Sequence, residues 1–151
     1  METVLTLIIA WLSANFALPE SHNHPHVILM ATESMQAERL NAAGRRQPEY
    51  SRTSGAATST AQVEAFYNDT TNTIYLPRDW SGNTPAELSV LVHEMVHHLQ
   101  SVAGLKYACP QEREKVAYLA QDKWLGQFGL NLIDEFELNA MSVLVRTNCF
   151  Y

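Results

Sequence analysis

The sequence predicts an α+β domain in which a small mixed sheet packs against one long amphipathic helix, with further helices after it. Short β-branched and aromatic runs lie in the first half of the chain, and apolar residues recur at helical spacing from 88 to 102. A second helical stretch begins at Pro110, and a last helix is expected over 131–146. A chain of 151 residues can bury roughly 68–70% of its unfolded surface, so we expect a single domain over residues 1–151.

The predicted sheet comes from three short segments, 26–30, 62–67 and 73–76. The last two are separated by the polar run Asn68-Asp69-Thr70-Thr71-Asn72. Two β-rich runs around such a polar turn predict a hairpin. His22, His24 and His26 alternate just before the first strand, and we interpret that stretch as a loop that enters the strand.

The long helix has clear predicted ends. Thr84 is the expected N-cap, Pro85 the first helical residue and Glu87 the partner in a capping box. Gly104 is a plausible stop. The apolar residues between these ends are Leu88, Leu91, Val92, Met95, Val96, Leu99 and Val102. Their spacing predicts a core-facing helix of about 18 residues.

This helix carries the sequence His93-Glu94-Met95-Val96-His97. Residues four apart lie on one face of a helix, so His93 and His97 can both direct an imidazole nitrogen at one metal ion. Glu94 is turned about 100° away, which keeps it out of the ligand set but close enough to take a proton from water. Two neutral imidazoles suit Zn²⁺, and the pattern is typical of zinc-dependent hydrolases. The alternative is two histidines buried in an ordinary core helix and satisfied by hydrogen bonds.

A catalytic zinc of this kind needs a third protein ligand. Gln100 and Ala103 occupy the positions of the glycine and the third histidine in the extended H-E-x-x-H motif, so the third ligand is expected to be a carboxylate. The candidates are Glu112, Glu114, Asp122, Asp134, Glu135 and Glu137. Glu114 borders the apolar stripe of the second helix, predicted over 110–128, beside the small Ala117, and we predict that it is the ligand. A solvated glutamate favoured by the helix dipole is the alternative.

Together the two motifs resemble the gluzincin branch of the zincin-like metallopeptidases. The resemblance lies in His93-Glu94-Met95-Val96-His97 and, on the next helix, Glu114-Lys115-Val116-Ala117. It implies a zincin-like fold, one Zn²⁺ held by His93, His97 and Glu114, Glu94 as general base, and a peptide or protein substrate. Many gluzincins have an aspartate after the alanine that orients a ligand histidine. Tyr118 stands there in this chain, so that orienting partner is unassigned.

More narrowly, the chain resembles the DUF6647 family of uncharacterised bacterial proteins. The similarity lies in 88–100, 107–110, 114–118, Gln121 and Trp124-Leu125, and the segment 73–77 also fits. In zincin-like folds the strand before the active-site helix often lies along the substrate cleft. The segment 73–76 holds that place in the sequence, so its free edge could pair with an extended peptide. An inner strand is the alternative.

The N-terminal segment 3–18 is almost entirely apolar and has two interpretations. It is too short for a stable membrane span. Residues 1–18 could form a signal segment, but Glu2 stands where a basic start is usual and the cleavage pattern is poor. The family resemblance implies a first domain helix here, and we favour a buried helix ended by Leu18-Pro19. The polar segment 41–61 is predicted to be a long exposed loop.

Charge and cysteine content limit the partners and the compartment. A net charge of −6 with few Lys and Arg residues argues against nucleic-acid binding. Cys109 and Cys149, 40 residues apart, are predicted to form a disulfide, which favours the periplasm or secretion; without it the chain would be cytoplasmic. Cys109 as a thiolate ligand is less favoured than Glu114, because Cys109 precedes Pro110 at a turn.

Two functions from different classes fit this pattern. The first is zinc-dependent hydrolysis of a peptide bond, with Glu94 as general base. The second is a non-catalytic zinc-binding or interaction module that keeps the metal for stability, since a bound metal contributes folding free energy. Glu94 favours the enzyme, because a structural site has no use for a base beside the metal. The substrate and the oligomeric state are left open by the sequence.

Overall fold

The computed structural model describes residues 1–44 and 65–149. The elements in these ranges are α1 (Glu2–Phe16), β1 (His26–Met30), α2 (Thr32–Gly44), β2 (Phe66–Asn68), β3 (Thr73–Pro77), α3 (Pro85–Val102), α4 (Pro110–Gly126), α5 (Leu132–Glu135) and α6 (Ala140–Thr147). This is the predicted α+β arrangement: a small sheet, one long helix after it, and further helices toward the C-terminus.

The described strands form one sheet in the order β1-β3-β2. Strand β1 pairs parallel with β3, and β2 pairs antiparallel with β3, so the sheet is mixed as predicted. The antiparallel pair confirms the hairpin for Phe66–Asn68 and Thr73–Pro77, while residues 62–64 lie outside the described residues. Strand β3 is central: β1 pairs with it over Thr73–Pro77, and β2 pairs with its other side over Thr73–Tyr75. The expectation of a free edge at 73–76 is therefore wrong, and the inner-strand alternative is confirmed.

Burial explains the central place of β3. Ile74 and Leu76 are fully buried, and Thr73 and Tyr75 are nearly so. A strand that is covered on both faces consists of continuous β-branched and apolar residues rather than an alternating pattern. The crossover through α2 places β1 parallel to β3, an arrangement that a short local turn cannot make.

Helix α1 contributes one side of the core. Leu5, Ile8, Ile9 and Leu12 are buried and belong to the same apolar cluster as Leu91, Met95 and Leu99 of α3. The helix ends where Ala17 adopts a left-handed conformation with φ 52°. This is the buried helix that the family resemblance implies. Among the described residues, we find no helix with the length and apolar character required to cross a bilayer.

Helix α2 was not anticipated from the sequence. It extends to Gly44, so the predicted loop over 41–61 is wrong for residues 41–44, and its remainder lies outside the described residues. Among residues 32–42 of this helix, whose burial is described, Met35 and Ala42 are buried, which leaves too few apolar positions to form a recognisable stripe. The segment contains strong helix formers such as Glu, Ala, Leu and Gln, and their intrinsic propensity was the available indication of a helix here.

Helix α3 has the ends predicted for it. The Thr84 side chain accepts a hydrogen bond from the Glu87 backbone at 3.1 Å, and a Glu87 carboxylate oxygen accepts one from the Thr84 backbone at 3.2 Å. These two bonds form the expected capping box. After the last turn, Gly104 adopts φ 62°, a conformation that favours glycine.

The C-terminal region contains two short helices rather than the single helix predicted over 131–146. Asn131 caps α5 by accepting a hydrogen bond from the Asp134 backbone at 2.9 Å. Asn139 caps α6 in the same way, from the Ser142 backbone at 2.7 Å. Between the two helices, Glu137 has φ 49°, which a continuous helix cannot contain. Asparagine is favoured at the N-cap position of a helix, and the prediction of a single helix did not take that preference into account.

A disulfide joins Cys109 to Cys149, with a Cα–Cα distance of 5.9 Å, and confirms the predicted pairing. Cys109 is the N-cap residue of α4, and Cys149 follows α6. The bond therefore attaches the C-terminal segment to the start of α4.

Removal of this disulfide should lower the free energy of unfolding by roughly 2–4 kcal/mol, because it closes a long loop in the unfolded chain. The test is denaturant unfolding of the double variant Cys109→Ser/Cys149→Ser against the wild-type chain. A reductant should destabilise the wild-type chain and leave the double variant unchanged. Equal stability of the two proteins, or two alkylatable thiols in the native unreduced protein, would contradict the assignment.

Candidate metal centre

Three side chains that the sequence singled out meet between α3 and α4. Nε2 of His93 and Nε2 of His97 lie 3.1 and 3.3 Å from the same carboxylate oxygen of Glu114. The three candidate ligand atoms all lie within 4.8 Å of one another. The side chains of His93 and His97 are 12% and 7% exposed, whereas that of Glu114 is 34% exposed. The group is therefore enclosed on the histidine side and reaches solvent on the glutamate side.

Local sequence explains this convergence. His93 and His97 are one turn apart on α3, so their rings project from the same face. Ala117 and Ala120 of α4 are fully buried, and such small residues let two helices approach closely. Glu114 precedes Ala117 by one turn, which places its carboxylate beside α3.

The other carboxylate candidates are not part of this group within the described ranges. Glu112 accepts a hydrogen bond from the Ala108 backbone at 2.7 Å, at the turn before α4. Asp122 accepts one from the Leu132 backbone at 2.9 Å and so supports the start of α5. Asp134 accepts a hydrogen bond from the Asn131 amide at 2.7 Å. These carboxylates hold turns and helix ends, away from the two histidines.

The ring orientation of His93 is set by Gln121. Nδ1 of His93 lies 3.0 Å from Oε1 of Gln121. The amide of Gln121 is oriented by its Nε2, which donates to the Ser89 hydroxyl at 3.3 Å, while that hydroxyl donates to the Ala86 carbonyl at 2.7 Å. Oε1 of Gln121 therefore faces the ring and accepts the Nδ1 proton. In a neutral ring this leaves the lone pair on Nε2 of His93 directed toward Glu114, whereas in a protonated ring Nε2 donates to that carboxylate.

His97 is oriented in the same way by Gln100. Nδ1 of His97 lies 3.0 Å from Oε1 of Gln100, and Nε2 of Gln100 donates to the Arg113 carbonyl at 3.0 Å. Nη2 of Arg113 in turn donates to the His97 carbonyl at 3.4 Å. The two glutamines supply the kind of outer hydrogen bond that fixes the tautomer of a metal-ligating histidine.

These orienting residues were missed by sequence reasoning, although some indication was present. Gln100 is a polar residue at a buried position, one turn after His97, and Gln121 is two turns after Glu114. Tyr118 occupies the position where many gluzincins have an orienting aspartate. Its ring instead packs edge-on against His93 at 4.8 Å between centroids, and its hydroxyl accepts a hydrogen bond from Arg146 at 3.2 Å.

The electrostatics of the cluster favour a positive charge at its centre. Burial alone would raise the pKa of the Glu114 carboxyl. The hydrogen bonds from His93 and His97 and the positive charge of these rings have the larger effect, so this pKa lies well below its usual range. Burial alone would lower the pKa of His93, but the bond with Glu114 and the charges of Glu94 and Glu114 raise it. A proton or a metal ion would satisfy the same demand.

The donor set fits a zinc ion. With both Nδ1 atoms donating to glutamines, neutral rings direct two Nε2 lone pairs toward a carboxylate oxygen, and all three inward-facing atoms are then acceptors. Acceptors at these distances repel one another unless a proton or a cation lies between them. Two imidazole nitrogens with one glutamate oxygen are the ligands of a catalytic His₂Glu zinc site. His93, His97 and Glu114 are therefore the residues that would hold the ion.

Glu94 lies beside this group without belonging to it. The residue is only 6% exposed, and its side chain makes no hydrogen bond to any residue in the described ranges. Its charge contributes to the raised pKa of His93, which shows that the carboxylate is close to the cluster. The carboxylate oxygens are not among the enclosed polar atoms that lack a partner in the described residues, so this group has contact with solvent beside the two histidines.

Comparison with known proteins identifies a family for the whole chain. The family described as "Domain of unknown function (DUF6647)" matches residues 1–151. No curated protein and no solved structure matches the chain. Because the family match extends from the first residue to the last, this chain belongs to the DUF6647 family.

Proposed function

We propose that this chain is a zinc-dependent hydrolase, with a zincin-like fold and a peptide bond as its substrate. The observation that carries the proposal is the convergence of His93, His97 and Glu114 with both Nδ1 protons engaged by glutamines. The fold name and the peptide substrate follow from the resemblance of the two motifs to gluzincins.

The openness of the site supports a catalytic rather than a structural ion. Structural zinc sites normally have four protein ligands, whereas catalytic sites have three and keep one position open. Three candidate ligands converge within the described part of the chain. Glu114 is 34% exposed, so water and a substrate can reach the ligand cluster from its side.

Each residue then has a distinct task. A bound Zn²⁺ supplies Lewis-acid polarisation of the scissile carbonyl and of water. Glu94 accepts a proton from the attacking water and delivers it to the leaving amine. Gln100 and Gln121 hold the two imidazoles in place, so that the ligands do not reorient during turnover.

The disulfide bears on where this activity would take place. Disulfides persist in oxidising compartments and are rare in the cytosol. The Cys109–Cys149 bond fits a periplasmic or extracellular site of action, and we include that location in the proposal.

Zinc content tests the ligand assignment. The purified chain should bind one zinc ion, and Glu114→Gln should bind it much more weakly because a neutral amide replaces an ionised ligand. Metal analysis after dialysis provides the measurement. The matched control is Glu112→Gln, whose carboxylate supports a backbone turn and should retain zinc. Full zinc content in both variants would show that Glu114 is not the third ligand.

The role of Gln121 predicts an effect on zinc affinity without loss of a ligand. Gln121→Leu removes the acceptor for the Nδ1 proton of His93, and the affinity should fall by roughly 10- to 100-fold. Competition with a chelator measures the change. The control Gln127→Leu alters an exposed glutamine at the end of α4 and should bind zinc like the wild-type chain. Unchanged zinc affinity in Gln121→Leu would show that Gln121 does not support His93 as a ligand.

Glu94→Gln separates catalysis from metal binding. This variant should fold and bind zinc, while hydrolysis of a peptide library should slow by roughly 10² to 10⁴-fold, the usual effect of losing a general base. Glu135→Gln changes an exposed carboxylate on α5 and should retain full activity. Near wild-type turnover in Glu94→Gln would overturn the mechanism. A zinc-loaded wild-type chain that cleaves no library peptide would favour the non-catalytic zinc module instead.

A further inference from the structure

The described sheet has two unlike edges, because β3 lies between β1 and β2. Strand β2 has three residues, and all three are buried. Strand β1 has five residues, and two adjacent apolar side chains on it, Ile28 and Leu29, are 42% and 47% exposed. Successive side chains of a strand point to opposite faces, so both faces of β1 are partly open. The proposed hydrolase mechanism does not involve β1.

The backbone of β1 is hydrogen-bonded along one side. The N–H of His26 donates to the Asn72 carbonyl at 2.9 Å, just before β3 begins. Along a parallel pair, alternate residues direct both their N–H and their C=O to the neighbouring strand, so residues 26, 28 and 30 bond to β3. The N–H and C=O groups of Val27 and Leu29 therefore point away from β3. Within the described ranges, these outward groups have no hydrogen-bond partner.

The β1 edge lacks the features that normally protect an exposed edge strand. Natural proteins cover such edges, interrupt them with bulges, or place charged residues and prolines on them. The segment 26–30 contains no Lys, Arg, Asp, Glu or Pro. Its five residues pair with five consecutive residues of β3, so the strand has no bulge. An edge with unpaired backbone groups and exposed apolar side chains is a template for another strand.

We propose that β1 pairs antiparallel with β1 of a second copy of this chain, which joins two three-stranded sheets across a two-fold axis. In this register Val27 lies opposite Leu29 of the partner subunit, and the two residues exchange both N–H···O=C bonds. The two-fold axis repeats this pair. All the outward backbone groups of Val27 and Leu29 on each copy are then satisfied.

The centre of this register is apolar. Ile28 meets Ile28 of the partner subunit on the axis, as a non-hydrogen-bonded pair whose Cα atoms are about 4.5 Å apart. Side chains contact closely in such a pair, so the exposed part of each Ile28 would be removed from water. The absence of Lys, Arg, Asp and Glu from 26–30 means that the pairing brings no like charges of these residues together.

A second copy fits this edge better than an unrelated peptide. The strand has no Lys, Arg, Asp or Glu side chain that could select a foreign sequence. An isologous contact needs only one self-complementary strand, and the outward groups at Val27 and Leu29 lie symmetrically about Ile28. The proposal requires neither zinc nor hydrolysis, so it can fail or hold independently of the proposed function.

Sedimentation velocity over a range of protein concentrations tests the pairing. At roughly 0.15 M salt, where repulsion between two chains of net charge −6 is largely screened, the wild-type chain should pass from monomer to dimer. Ile28→Lys places two ammonium groups opposite each other and should raise the dimer dissociation constant at least about tenfold. The matched control Leu40→Lys changes a leucine of α2 that is 73% exposed and should dimerise like the wild-type chain.

A second variant removes a backbone donor rather than a side-chain contact. The N–H of Leu29 is not used by β3, and proline is tolerated on an edge strand when its nitrogen faces solvent. Leu29→Pro should therefore keep the sheet and weaken the dimer. Thermal unfolding confirms that each variant is folded before sedimentation.

Hydrogen exchange of the wild-type chain locates the contact. The amides of Val27 and Leu29 should exchange more slowly at concentrations that favour the dimer, while the amide of Ile28, already bonded to β3, should change little. A chain that stays monomeric at every soluble concentration would overturn the proposal. So would a dimer that forms without slower exchange at Val27 and Leu29, or one that Ile28→Lys retains and Met141→Lys on α6 abolishes.

Discussion

Helix α4 packs on α3 through the fully buried Ala117 and Ala120, and most polar contacts of the candidate metal centre cross between these two helices. The alanines set a short separation, so that Glu114 can reach both histidines with one oxygen. A larger side chain at either alanine would push the helices apart or force strained rotamers. Every feature of the proposed site depends on this helix pair keeping its register.

The rest of the fold holds that register from two sides. Leu91, Met95 and Leu99 anchor α3 against α1 and the sheet, and burial of each such side chain contributes roughly 1.5–3 kcal/mol. The α4 side is held by the disulfide at its N-cap residue, Cys109, and by the edge-to-face contact between Trp11 and Trp124. The side-chain amides of Gln100 and Gln121 fix the orientations of the His97 and His93 rings. Packing and hydrogen bonds therefore both fix the positions of the three candidate ligands.

Features encoded in short stretches of sequence could be predicted, and features that depend on tertiary register could not. The ends of α3 follow from Thr84, Pro85 and Glu87, which act within a single turn. Convergence on Glu114 was predictable because small Ala117 marks the face of α4 that meets α3.

The pairing of Gln121 with His93 depends on how the two helices align, which no local pattern specifies. The central position of β3 depends in the same way on a crossover that brings β1 beside it, and helix α2 has too few apolar residues to be recognised.

We propose that two imidazoles and one carboxylate coordinate zinc between α3 and α4. X-ray absorption at the zinc edge of the zinc-loaded chain measures that ligand set directly. We expect two imidazole nitrogens at about 2.0–2.1 Å and oxygen ligands at about 2.0–2.2 Å. A sulfur atom at about 2.3 Å, or a spectrum with fewer than two imidazoles, would contradict it.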